Sequence, residues 1–122
     1  MTRGRLLHNA TPWAPDAERA ATLPERLRGL LGRRSLGPRA ALLIERCGAV
    51  HTLGMRFPLD LVFLDRHGRV TRTAANVRPG RLCVWGGPRA ARVIESEARC
   101  LDLAAVRPGD LFTFETEQRN TP

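Results

Sequence analysis

The sequence predicts a mainly β (α+β) fold: a small curled sheet or barrel-like β domain, one clear helix near the N-terminus, and room for further short helices. Three observations predict it. From Ala40 onward, short apolar runs alternate with turns containing Gly and Pro. Only one segment, beginning near Thr22, combines a helix start signal with helical spacing of its Leu residues. The chain has 122 residues, 43% of them hydrophobic, which is enough for one core and too little for a second. The domain is expected over residues 1–115, followed by a frayed polar tail at 116–122.

Residues 4–9 read as a first strand, followed by a stretch broken by Pro12 and Pro15. The helix then opens at Thr22, whose hydroxyl and the Glu25 carboxylate have the spacing of a capping box. Leu23, Leu27, Leu30 and Leu31 form one apolar stripe expected to face the core, and Gly32 is the expected stop. Gly29 weakens a helix by about 1 kcal/mol relative to Ala, which suggests close contact with neighbouring backbone. Ala41–Glu45 reads as a buried strand and Phe57–Leu64 as the strongest one. Asp65-Arg66-His67-Gly68 reverses it into Arg69–Thr73, with Asp opening the turn and Gly supplying a left-handed residue. Further strands are expected at Leu82–Trp85, Arg92–Glu95 and Leu111–Glu115. Val77-Arg78-Pro79-Gly80 recurs as Val106-Arg107-Pro108-Gly109, and Pro then Gly suits the central positions of a type II turn.

Every basic side chain is Arg, and 20 bases against 12 acids give a net charge of +8. Guanidinium does not deprotonate, so this charge persists and predicts salt-sensitive attraction to nucleic acid or other anionic surfaces. The aromatic pattern of an RNA-binding sheet is missing, since the chain has four Phe, two Trp and no Tyr. Cys47, Cys83 and Cys100 are odd in number and lack Cys-x-x-Cys spacing, unlike a disulfide scaffold or zinc ribbon. No run approaches the roughly 20 apolar residues of a membrane span. Leu6 and Leu7 alone are too short for a secretory signal, so a cytoplasmic location is expected.

The informative stretch runs from Cys47 to Asp65. On a strand, Phe57, Leu59, Leu61 and Phe63 share one face, while Pro58, Asp60, Val62 and Leu64 share the other. Both faces are apolar apart from Asp60, so the strand is expected to be covered on both sides. An unpaired buried carboxylate costs several kcal/mol. Asp60 therefore either caps a turn, pairs internally with an Arg, or faces a ligand. Arg56 and His51 are the candidate partners near it in sequence, and Arg33 is one from elsewhere. His51 and Thr52 lie just before the strand, His51 being either a hydrogen-bonded structural residue or a reactive one. Cys47 and His51 would meet on a helix but not on one strand. No second ligand pair completes a metal site, so neither metal nor cofactor is expected. Met55 reads as a core residue and Asp65 as the turn opener.

Arg26-Leu27-Arg28-Gly29-Leu30-Leu31-Gly32-Arg33, Cys47, His51-Thr52, Met55-Arg56-Phe57-Pro58, Asp60 and Phe63-Leu64-Asp65 follow one another in an order that resembles domain-of-unknown-function family 192. The resemblance extends through Gly68-Arg69-Val70, Val77-Arg78-Pro79, Ala91, Val93-Ile94-Glu95 and Gly109-Asp110-Leu111, covering about Thr22 to Phe114. It implies a small, mostly β domain with flanking helices and no established biochemical activity. Many relatives carry secretion signals. The chain departs from the pattern at Gly80, where relatives usually have an aromatic, and at Ser96-Glu97-Ala98, where they usually have a Gly.

The leading functional expectation is a noncatalytic binding or accessory module, in which Arg33, His51, Thr52, Arg56 and Asp60 line a polar cleft. Arg supplies a planar fork, Asp an acceptor, and His and Thr adaptable groups, a set suited to a sugar, a carboxylate or a peptide end. The partner would be such a small ligand or another protein. One rival is a hydrolase using Asp60 or His51 as general acid/base. The other is a nucleic-acid-binding protein drawing on the Arg excess.

Overall fold

The computed structural model describes residues 1–117. Strands β1 (Thr2–His8) and β2 (Thr11–Ala20) form an antiparallel hairpin. Its two turn residues, Asn9 and Ala10, both have positive φ (48° and 67°), the twist a two-residue hairpin needs. The stretch expected to be broken by Pro12 and Pro15 is thus a ten-residue strand. It tolerates both prolines because β3 (Ala40–Ile44) pairs with β2 only from Asp16 onward. Over Thr11–Pro15 the strand is an edge on that side, where a missing N–H costs nothing.

Helix α1 (Leu23–Arg28) has the expected capping box, with Thr22 Oγ1 accepting from Glu25 N at 3.4 Å and Glu25 Oε1 from Thr22 N at 3.1 Å. It ends at Gly29 rather than Gly32, because the chain there takes φ 48° and ψ −126°, a conformation open to glycine. That conformation, and not close packing, explains Gly29: a Cβ there would meet Ile44 only at an ordinary 3.9 Å. The Leu stripe also differs from expectation. No residue of α1 is buried, Leu27 is 71% exposed, and only Leu30, beyond the helix, enters the core. The early stop at Gly29 breaks the helical phase, so the stripe cannot act as one face.

Strands β5 (Leu59–Leu64), β6 (Val70–Val77), β8 (Arg92–Glu97) and β9 (Phe112–Thr116) complete a seven-stranded sheet in the order β6-β5-β8-β3-β2-β1-β9. A separate ribbon pairs β4 (Ala49–Val50) with β7 (Val84–Trp85). The sheet is mixed, with β2 and β3 parallel and its other pairs antiparallel. It curls until Arg69 and Leu111 form a single bridge between its ends, and it does not close into a barrel. All six residues of β5 are buried, as two-sided covering requires. Leu59, Leu61 and Phe63 pack with Leu42, Ile44 and Val93 on one face, and Val62 and Leu64 pack with Leu43, Ile94 and Phe112 on the other.

The Asp65–Gly68 reversal forms as expected. Asp65 Oδ1 accepts from His67 N (2.8 Å) and Arg69 N (3.0 Å), and Gly68 takes φ 87°. Those two donated bonds outweigh the desolvation of Asp65 and hold its carboxyl below the usual range. Of the tail expected at 116–122, Thr116 closes β9 and Glu117 N donates to Arg3 O at 2.9 Å. Its remainder lies outside the described residues.

Candidate functional site

Asp60 occupies the second face of β5 and is 5% exposed. Backbone amides answer its carboxylate: Oδ1 accepts from Asn76 N (2.8 Å) and Oδ2 from Arg99 N (3.1 Å). Asn76 and Arg99 both have positive φ (50° and 69°), the first at the irregularity of β6 and the second in the turn after β8. The carboxylate therefore clamps two left-handed residues, one in β6 and one in the turn after β8. Fixing such residues costs on the order of 1 kcal/mol or more each, which charge-assisted bonds can offset.

Thr52 is fully buried and equally engaged. Its N–H donates to Arg81 O (2.9 Å), its carbonyl accepts from Gly80 N (2.9 Å), its hydroxyl accepts from Arg81 N (2.8 Å) and donates to Arg78 O (2.8 Å). The hydroxyl thus closes the Arg78-Pro79-Gly80-Arg81 turn. The second copy closes directly, by Asp110 N to Arg107 O at 3.1 Å. Thr52→Val removes the hydroxyl partner of two part-buried backbone groups, Arg78 O and Arg81 N, and is expected to destabilise the protein by roughly 2 kcal/mol in urea unfolding. Thr52→Ser, keeping the hydroxyl, should recover most of that loss.

Arg33 turns its guanidinium to Glu18, with Nη1 and Nη2 each 3.4 Å from a carboxylate oxygen and both side chains partly exposed. His51 and Arg56 are exposed. Among the described residues, the hydrogen bonds and ion pairs of the five side chains join none of them to another.

A polar groove of about 1120 Å³ opens elsewhere, where β1, the second half of β2, the start of β3 and the end of β9 meet. Arg33 reaches it, together with Arg3, Arg5, Asp16, Glu18 and Glu115. Arg5 and Glu115 form an exposed ion pair at 2.9 Å, matching the Arg33–Glu18 pair within the same groove. Half-solvated pairs of this kind are worth little to the fold. They leave both signs of charge available to an incoming group.

One further buried acid stands out. Glu95 on β8 is 6% exposed, in register with Leu42 and Leu61 on its two neighbours. Burial pushes its carboxyl up to about 7. Glu97, two residues on, is by contrast satisfied by Leu36 N (3.1 Å) and Gly37 N (3.3 Å). The Cys47 thiol is pushed up, first by burial and further by the Glu95 carboxyl, against the partial opposition of its hydrogen bond to Ala49 O and of Arg26. Burial also raises Cys100, so neither thiol is activated as a nucleophile. Among the described residues no cluster of His, Cys, Asp and Glu is arranged to hold a metal.

A family model described as DUF192, uncharacterized ACR, COG1430, matches residues 6–114. The chain belongs to the DUF192 family. No curated protein matches it. Two solved structures are similar to this DUF192 protein in fold. One is a protein of unknown function from Novosphingobium aromaticivorans, 24% identical, with TM-score 0.74, covering 91% of this chain and 84% of that one. The other is described as a putative transcription regulator from Sinorhizobium meliloti, 23% identical, with TM-score 0.75, covering 93% and 92%.

In the DUF192 chain, Gly80 stands at φ 93°, a requirement of the turn that Thr52 closes. The groove acids escaped sequence reading because Asp16 and Glu18 lie on the strand that the prolines disguised. Glu95 carried a partial signal: on a strand it shares a face with Val93, directly after the apolar pair Val93-Ile94.

Proposed function

We propose that this DUF192 protein is a noncatalytic binding module that takes a small polar ligand bearing a carboxylate, of which a peptide end is the best match. The observation that carries the reading is the groove with its two loosely held Arg–Glu pairs. A ligand carboxylate recruits the Arg33 fork, and a ligand ammonium meets Glu18 or Asp16. Of the five residues expected to line a cleft, Arg33 is the one at this groove. Glycylglycine, acetate and glucose are suitable probes for calorimetric titration. Glycylglycine is expected to bind best, and Arg33→Ala to weaken it by about tenfold, the loss of one charged hydrogen-bonding partner. Equal binding by wild type and Arg33→Ala would overturn the assignment, as would no binding of any probe.

Nucleic-acid binding is a second reading, favoured by the net charge of +8. Fluorescence titration across a salt series tests it. Binding that persists near physiological salt supports it, and binding that vanishes there counts against it.

A further inference from the structure

The Arg excess is segregated. The chain has no Asp or Glu between Arg26 and Ile44, between Arg46 and Leu59, or between Arg66 and Ile94. The Thr52 bonds to Gly80 and Arg81 bring the second and third of these acid-free segments side by side. Leu31, from the first, lies against Gly54, where a Cβ would come within 3.6 Å of its methyl. The surface so assembled carries Arg56, Arg78 and Arg81, all exposed and, among the described residues, in no ion pair.

Between these cations stand large apolar side chains in water. Leu53 is 43% exposed, Leu82 79% and Leu31, lying against Gly54, 38%. Trp85, on the ribbon that follows Leu82, is also exposed. Scattered exposed Leu residues need no explanation, but apolar side chains grouped with unpaired Arg do. Projecting Leu side chains need no matching pocket in a fluid acyl boundary, while guanidinium groups pair with phosphates above it.

We propose that the Leu31–Leu53–Leu82 surface with Arg56, Arg78 and Arg81 docks peripherally on anionic phospholipid bilayers. No helix among the described residues is long and apolar enough to cross a membrane, so the contact is interfacial. Nucleic acid fits this surface less well, because its Leu side chains supply no stacking face and Trp85 alone supplies one.

The test is co-sedimentation of the full chain with vesicles of three parts phosphatidylcholine to one part phosphatidylglycerol, beside pure phosphatidylcholine. Binding only to the anionic vesicles is expected. Leu53→Ser combined with Leu82→Ser should weaken it about tenfold, the loss of roughly one methylene group's worth of inserted apolar surface at each position. Arg56, Arg78 and Arg81 changed together to Gln should weaken it more than the same change at Arg66, Arg69 and Arg107, which lie toward the opposite end of β6. Circular dichroism and melting confirm that each variant folds. No sedimentation with anionic vesicles would overturn the proposal. So would binding indifferent to the Leu changes, equal loss from both Arg sets, or tighter binding to duplex DNA through the same three Arg residues.

Discussion

Asp60→Ala is expected to destabilise the protein by about 4 kcal/mol, the scale for losing two hydrogen bonds to a charged acceptor. For a chain of this size that lowers Tm by roughly 15 °C. The change strands the amides of Asn76 and Arg99 and releases two left-handed residues together. Asp60→Asn should also destabilise, since its amide nitrogen must face one of the two N–H groups. Arg33→Ala, removing a half-solvated pair, should cost under about 1 kcal/mol. Urea unfolding of the three variants checks the ranking. An Asp60→Ala protein as stable as wild type would show that the clamp contributes nothing.

The second large effect concerns pH. The folded-state carboxyl of Glu95 sits at about 7 against an ordinary value of 4.5. A carboxyl raised on folding is protonated in the native state while the unfolded state has already ionised. Its contribution is intact below pH 4.5 and lost progressively as pH rises through 7. The loss amounts to roughly 3 kcal/mol, at 1.36 kcal/mol per pKa unit. Glu25 works in the opposite sense. The N-terminal ammonium beside it, followed by the capping bonds, lowers its carboxyl to about 2, so its contribution fades only as strong acid protonates it. The two windows do not overlap. Glu95→Gln should therefore flatten the stability profile between pH 5 and 8, and should be more stable than wild type at pH 8. An unchanged profile in the variant would show that Glu95 is not the responsible group.

Much of the fold is legible in the sequence, for identifiable reasons. The Asp65–Gly68 reversal and the Thr22–Glu25 box depend on residues a few positions apart, so local chemistry decides them. The two-sided covering of β5 follows from apolar residues on both faces of one strand. β2 is hidden because its prolines are harmless only when the partner strands are known, and β3 joins it from 20 or more residues away. The outward turn of Leu23 and Leu27 follows from the helix stopping at Gly29, which periodicity does not reveal.

The candidate site is legible in part. A buried Asp60 needing partners is readable from its apolar neighbours, and turn capping was among the alternatives that pattern allows. Its actual partners are amides whose availability depends on positive φ at Asn76 and Arg99; Asn adopts such backbone readily, but Arg99 carries no sequence mark of it. Thr52 shows the same limit, since its hydroxyl serves a turn 26 residues away. Arg33 is identifiable as a cation beyond the helix, but the acid it meets lies on the disguised strand.

A nitrogen-15 resolved titration with glycylglycine tests the central claim, that recognition belongs to the groove and not to Asp60. The amides of Arg3–Arg5, Asp16–Glu18, Arg33 and Glu115 should shift together, while those of Asn76 and Arg99 stay still. Shifts centred on Asn76 and Arg99 with a silent groove would contradict it.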